Sequence, residues 1–208
     1  MPKTRGRFCF SKSVTLVELI ISVIIVSVII LSIYSIDTFS RNQLINSERR
    51  IKVQNELSFA LGHMGKYVQQ AIGNVNAPGI EYFPPGNPNG FRVRVDFKQT
   101  PWDLTDDSWV RYRLVNPNTI RASCAGCPAF FINNEDLTTR VLNANGFVSP
   151  IPAILPDPPT DGFYATIVDG SSVEVVLIGR FRPGENESLS NPQVTMRTRL
   201  ICNSCSTN

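Results

Sequence analysis

The chain has 208 residues, enough for one domain with a hydrophobic core and one appended element. It carries 20 Lys and Arg against 17 Asp and Glu, but four of the basic residues lie within residues 1–13. The rest of the chain has 16 basic and 17 acidic residues and is therefore slightly acidic. Bulk charge therefore gives no reason to expect a nucleic-acid-binding protein. With one histidine and no Gly-x-Ser-x-Gly, His-Glu-x-x-His or phosphate-binding glycine-rich motif, the sequence does not favour an enzyme.

The first predicted element is an apolar helix that spans a membrane. Val14 to Tyr34 contains 21 residues with Glu18 as its only charge, which is long enough to cross a hydrocarbon core of about 30 Å. Because basic residues precede this run, we expect the N-terminus to stay in the cytoplasm and the rest to be exported.

Glu18 needs a partner, because a carboxylate at membrane depth costs a few kcal/mol. If the basic segment were removed just before Val14, the new α-amino group would lie one helical turn from Glu18. The same amine could neutralise Glu18 of a neighbouring subunit. An acid that requires such a partner would set the register between helices packed side by side.

The run "SVTLVELIISVIIVSVIIL" resembles the N-terminal signature of type IV prepilins and type II secretion pseudopilins. The resemblance implies that prepilin peptidase removes a leader, residues 1–13, between Ser13 and Val14. It further implies that Val14 is N-methylated and that Glu18 aligns the subunits of a helical filament. Ser13 and Val14 stand where the family usually has Gly and Phe.

The resemblance also implies location, partners and role. We expect a single-pass protein of the inner membrane that later enters a periplasmic or extracellular filament. Its partners would be other pilin or pseudopilin subunits, the prepilin peptidase and methyltransferase, and the membrane itself. The family role is that of a structural subunit without a cofactor, and the pattern of late strands is similar to that of the larger minor pilins.

The helix is predicted to continue from the membrane span (14–34) to residue 73 as an amphipathic helix. One apolar stripe recurs at helical spacing: Val53, Leu57, Leu61, Met64, Val68 and Ile72. Gly73 is the predicted stop signal. Gly62 and Gly65 each weaken a helix, so a close backbone contact is expected there, and His63 is expected to be solvated.

Residues 74–208 are predicted to form an exported β-rich domain. Fourteen of the 15 prolines lie there, which indicates short strands joined by loops. Alternating apolar residues predict strands in "FRVRVDF", "VRYRLV", "TIRAS" and "QVTMRTRLI", and "IVDGSSVEVVLIGRFR" predicts a hairpin that turns at Asp169-Gly170. The expected fold class is α+β, with a long helix packed on an antiparallel sheet as in pilins.

Four cysteines lie in the exported part as two C-x-x-C pairs: Cys124 with Cys127, and Cys202 with Cys205. An oxidising compartment favours two structural disulfides, and the three possible pairings remain open. The alternatives are one zinc site of four thiolates, or a redox motif. Either alternative would make the chain a membrane-anchored periplasmic metal or redox protein.

Four arginine pairs occupy the predicted strands: Arg92/Arg94, Arg111/Arg113, Arg180/Arg182 and Arg197/Arg199. Residues i and i+2 of a strand share a face, so neighbouring strands could gather eight guanidinium groups on one face of the sheet. That arrangement would suit a DNA-uptake or adhesive pilin. The favoured interpretation is that these arginines pair with nearby acids such as Asp96 and Glu174, because residues 74–208 hold 13 acids against 11 bases.

Calcium is a weaker candidate ligand. Acidic side chains cluster in "DLTDD" and "PGENES", namely Asp103, Asp106, Asp107, Glu185 and Glu187. Neither segment matches an EF-hand loop, so solvated turns are the favoured interpretation.

Overall fold

The computed structural model describes residues 15–74, 76–86, 89–100, 103–116, 118–129, 131, 133–142, 162–168 and 170–205. Within them the fold class is α+β, as predicted. Helix α1 spans Leu16–Gln69. The strands are β1 Ile72–Gly73, β2 Ile80–Tyr82, β3 Gly90–Val95, β4 Ser108–Val115, β5 Thr119–Ala125, β6 Glu135–Thr138, β7 Phe163–Val168, β8 Ser172–Arg180, β9 Gln193–Ile201 and β10 Ser204–Cys205. Two compact units divide the chain, residues 1–44 and residues 45–208.

In the first unit, α1 is long and apolar enough to cross a membrane. Every residue from 15 to 44 is exposed. The few hydroxyl groups do not break the apolar character, because they bond within the helix. Ser22, Ser27 and Ser32 each donate to the carbonyl four residues earlier, at 2.7–2.8 Å.

In the second unit, one face of α1 is buried. The predicted stripe is confirmed from Val53 to Val68, and Ala60 and Tyr67 join it. These side chains pack into a single core with residues of both antiparallel sheets. Burial of such a stripe is the main reason that a helix of ordinary propensity forms here.

The helix ends earlier than predicted, at Gln69 rather than at Gly73. Ile72 and Gly73 form β1, which pairs in parallel with Ser204 and Cys205 of β10. The glycine serves a close backbone approach rather than a helix stop, since a Cβ on Gly73 would lie 2.2 Å from the Gly79 nitrogen.

The domain contains two antiparallel sheets where one was expected. The larger has the order β2-β3-β4-β5-β6, and the smaller has the order β7-β8-β9. Each predicted strand has a counterpart in these sheets, but β3 ends at Val95 rather than at residue 97, and β8 ends at Arg180 rather than at residue 182. Gly170 turns the β7–β8 hairpin with φ +64°. Asp169, the other predicted turn residue, lies outside the described residues. The short strands β1, β2, β6 and β10 were not predicted, because two to four residues hold too little periodicity to be recognised.

The alternation of side chains in β3 explains how the two sheets share one core. Phe91, Val93 and Val95 point inward, while Arg92 and Arg94 lie on the opposite face. The Phe91 ring lies 5.1 Å from that of Tyr112 in the same sheet and 6.3 Å from that of Phe163 in the other. Aromatic contacts therefore join the sheets.

Two expectations about α1 were wrong. A Cβ on Gly62 would meet nothing within 4 Å, and one on Gly65 would make only an ordinary contact with Leu200 at 3.5 Å. Among the described residues, no close approach requires a glycine at either position. His63 is not solvated but lies between Tyr67, Tyr112 and Phe131, with ring centroids at 5.0, 5.8 and 6.4 Å.

Candidate functional site

Glu18 lies in the first turn of α1 and forms a reciprocal cap with Thr15. The Thr15 N–H and hydroxyl both donate to Glu18 Oε2, at 2.9 and 3.0 Å, and the Glu18 N–H donates to Thr15 Oγ1 at 3.3 Å. This is a capping box, whose signal in the sequence is Thr15-x-x-Glu18. The sequence reasoning missed that second role of the glutamate. Its other oxygen, Oε1, accepts no bond from any described residue.

The helix surface around Glu18 is apolar on every side. Leu19, Ile20 and Ile21 point in directions about 100° apart and are 59%, 51% and 51% exposed. A helix that is apolar all round must be covered by lipid or by other helices. Ser13 and Val14, the predicted cleavage and methylation residues, lie outside the described residues.

In each C-x-x-C pair, the two cysteines lie at disulfide distance from each other. Cys124 and Cys127 close the end of β5 with a Cα–Cα distance of 5.7 Å, and Cys202 and Cys205 join β9 to β10 at 5.6 Å. The structure thus selects the local pairing among the three that the sequence left open. Neither bond ties the last strand to the middle of the larger sheet.

The zinc alternative is not supported by this geometry. Among the described residues, the four cysteine sulfurs do not gather into one cluster of ligands. The two cysteines of each C-x-x-C pair instead form a disulfide with each other, so no thiolates remain to bind zinc. A thioredoxin-like redox motif has its C-x-x-C at the N-terminus of a helix. Here one pair lies at the end of a strand and the other links two strands.

The arginines of the larger sheet stack on aromatic rings. The Arg92 and Arg94 guanidinium groups lie 4.3 and 4.8 Å from the Trp109 ring centroid, and Arg111 lies 4.9 Å from that of Phe83. Arg92 Nε also donates to Glu81 at 2.9 Å. Arg113 is exposed.

The arginines of the smaller sheet are held by polar groups. Arg180 is buried and donates to Gln193 Oε1 and to the Glu185 carbonyl. Arg182 pairs with Glu185 at 3.0 Å and Arg197 pairs with Glu174.

The hypothesis of eight arginines on one face is therefore wrong. The pairs are divided between two sheets, and Arg180 is only 3% exposed. A phosphate backbone needs accessible guanidinium groups in a row, which this arrangement does not supply.

The acidic candidates are only partly brought together. Carboxylate oxygens of Asp96, Asp106 and Asp107 lie within 4.8 Å of one another. Lys98 lies 3.6 Å from Asp106 and partly neutralises the group. Burial, followed by the charge of Asp96, raises the pKa of Asp107.

The remaining calcium candidates do not join this group. Asp103 accepts bonds from Thr105, and Glu185 pairs with Arg182. Glu187 is an exposed loop residue. Of the five predicted calcium ligands, only Asp106 and Asp107 lie close together among the described residues.

His63 belongs to a polar cluster at the edge of the core that the sequence did not reveal. Its Nδ1 lies 3.1 Å from the Tyr112 hydroxyl and its Nε2 lies 3.7 Å from a Glu135 oxygen. Burial lowers the pKa of His63 and raises that of Tyr112. The signal in the sequence was the position of His63 three residues after Ala60 and four before Tyr67, next to the buried stripe.

Comparison of the chain with protein-family models, with curated proteins and with solved structures gave no significant match.

Proposed function

We propose that this chain is a minor pilin or pseudopilin, a structural subunit that waits in the inner membrane and then enters a helical filament. The observation that carries the proposal is an exposed helix, apolar on every side, with one carboxylate in its first turn. Lipid can cover such a helix before assembly, and the helices of neighbouring subunits can cover it afterwards.

The carboxylate supports assembly beyond simple anchoring. Membrane insertion alone is weakened by an acid, because its transfer from water costs a few kcal/mol. The cap with Thr15 uses only Oε2 of Glu18, so Oε1 is available for another donor. In the proposed filament, that donor is the α-amino group of a neighbouring subunit after cleavage between Ser13 and Val14.

The first test separates the charge of Glu18 from its cap. Glu18→Gln keeps a side chain that suits a capping box but removes the charge, so we expect normal membrane insertion and loss of filament entry. Thr15→Ala removes the cap and keeps the charge, so incorporation should persist. The measurement is the amount of subunit in the membrane and in sheared filaments.

Ser27→Ala is the matched control, because the Ser27 hydroxyl bonds only within its own helix, to the Val23 carbonyl at 2.7 Å. It should enter filaments normally. Incorporation of Glu18→Gln at the level of the unaltered protein would show that Glu18 only caps the helix, and would contradict the assembly role.

A second test examines processing. Mass spectrometry of the protein from native membranes should find an N-terminus at Val14 that carries one added methyl group. An intact Met1, or a terminus downstream of Tyr34, would overturn the proposal.

A further inference from the structure

Strand β9 has one edge with which no described strand pairs. It is the outer strand of the β7-β8-β9 sheet and runs for nine residues, Gln193–Ile201. Residue 202 donates its N–H to the Ser171 carbonyl at 2.8 Å, on the β8 side. Main-chain groups of successive residues in an antiparallel ladder alternate in direction, so the even-numbered residues of β9 face β8 and the odd-numbered residues face outward.

Five peptide groups therefore point away from the sheet, those of Gln193, Thr195, Arg197, Arg199 and Ile201. None of them makes a main-chain hydrogen bond to another described residue. A row of unpaired donors and acceptors of this length is a template for an added strand.

A groove of about 620 Å³ lies beside this edge, between β9 and helix α1. Leu61 of α1, with Met196 and Leu200 of β9, gives the groove an apolar wall beside Gly62 and Gly65. Polar side chains, among them Gln69 and Thr198, line the rest of it. A Cβ on Gly62 would meet no described residue within 4 Å, so none of the residues that the structure describes fills the space above this glycine. The groove can receive apolar side chains from one side of an extended segment.

The charge beside the edge is positive. On the exposed face of the sheet, Arg197 and Arg199 share a single carboxylate, Glu174, and Arg199 donates only to the Ser172 hydroxyl, at 3.1 Å. Lys66 adds an exposed ammonium group on the groove wall. An acidic segment is therefore favoured over a neutral or basic one.

From these features we infer that the β9 edge and its groove bind an extended, acidic segment of another polypeptide. The segment adds a strand beside β9, points alternate apolar side chains into the groove, and places acidic side chains near Arg199. A second copy of β9 does not fit, because antiparallel pairing of the two edges would oppose their arginines. The inference concerns residues 58–69 and 193–201 and does not depend on the proposed filament role.

The test uses the full chain in detergent micelles and a fluorescent eight-residue peptide of alternating Val and Glu. Fluorescence anisotropy should detect binding. N-methylation of the peptide amides that would face β9 should weaken affinity by about tenfold or more, since it removes main-chain donors and leaves the side chains in place. Replacing Glu by Lys in the peptide should abolish binding.

Two pairs of variants locate the site on the protein. Gly62→Leu fills the groove and should weaken affinity about tenfold, while Gly184→Leu, at another glycine with open space, should not. Arg199→Glu should weaken the Glu peptide and favour the Lys peptide, while Arg113→Glu on the other sheet should change neither.

Four results would overturn the inference: no binding of the Glu peptide, equal affinity for the N-methylated peptide, an unchanged affinity in a folded Gly62→Leu protein, or tighter binding of a single-stranded oligonucleotide. The N-methylated peptide is tested on the unaltered protein, so the inference stays falsifiable if Gly62→Leu fails to fold.

Discussion

At the scale of single residues, His63 shows how packing changes a side chain's chemistry. It lies half-buried on α1, close to the Tyr112 hydroxyl, with Glu135 and Lys66 as the nearest charges. Burial lowers its pKa below the ordinary 6.5; Glu135 opposes this shift and Lys66 adds to it. The neutral form is therefore favoured by the fold.

This shift predicts a pH dependence of stability. Because the folded state binds a proton less readily than the unfolded state, the free energy of unfolding should fall as pH drops below 6.5 and level off below the folded pKa. The slope for one proton is at most about 1.4 kcal/mol per pH unit. Thermal unfolding at pH 7.5 and 5.5 measures the effect, and His63→Gln should remove it. An identical loss in His63→Gln would assign the effect to other titrating groups. Asp107 could not be one of them, because its raised pKa makes the folded state more stable as pH falls.

At the scale of elements, the two disulfides act locally. Cys124–Cys127 closes the end of β5, and Cys202–Cys205 holds the turn that brings β10 beside β1. A disulfide that closes a loop of four residues stabilises the folded state by about 2 kcal/mol, because it lowers the entropy of the unfolded chain. A disulfide between the two pairs would contribute about 4.5 kcal/mol. Replacing either pair by alanine should therefore lower stability only modestly.

Tryptic mapping without reduction tests the pairing. Cleavage after Arg121, Arg140 and Arg199 places each pair in its own peptide, so two separate peptides should each lack two hydrogens. Reduction should restore those hydrogens. One joined peptide that separates on reduction would show that the bonds link the two pairs, and the local pairing would be wrong.

At the scale of the whole molecule, the charge pattern argues against DNA as the main ligand. Arg92, Arg182 and Arg197 pair with acids, while Arg94 and Arg111 lie against aromatic rings. Among the arginines of the four pairs, only Arg113 and Arg199 are exposed and form no ion pair with a described acid. Few phosphates can therefore be neutralised at one place.

The corresponding prediction is a weak salt dependence. The slope of log affinity for duplex DNA against log salt should not exceed about 2 in magnitude, since about 0.9 ion is released per phosphate contact. Titration of labelled DNA between 50 and 200 mM salt (about the range over which a strong binder loses most of its affinity) provides the measurement. A steep slope that Arg113→Glu reduces would restore the DNA-uptake hypothesis.

How much could be predicted differs between the two parts of the chain. The apolar helix, the buried stripe from Val53 to Val68 and the long strands follow from periodicity, which a single sequence carries in full. The helix end at Gln69 and the burial of His63 could not be predicted, because they depend on Ser204 and Tyr112, far along the chain. The role of Gly73 could not be predicted either, because it depends on how the chain folds back to bring Gly79 against it. The capping box Thr15-x-x-Glu18 could have been predicted from the sequence, because its two residues lie three positions apart, but the sequence analysis did not identify it.

The sequence by itself determined the local features: an apolar segment with one acid, an amphipathic continuation, alternating strands and two C-x-x-C pairs. Those features depend on neighbours within a few residues, where helix and strand geometry dictate which side chains meet. Only the tertiary structure decided that the strands divide into two sheets, which separated the arginine pairs. It also decided that one edge of β9, unpaired by any described strand, lies beside a groove. Strand partners are chosen by packing over the whole core, and no local pattern encodes that choice.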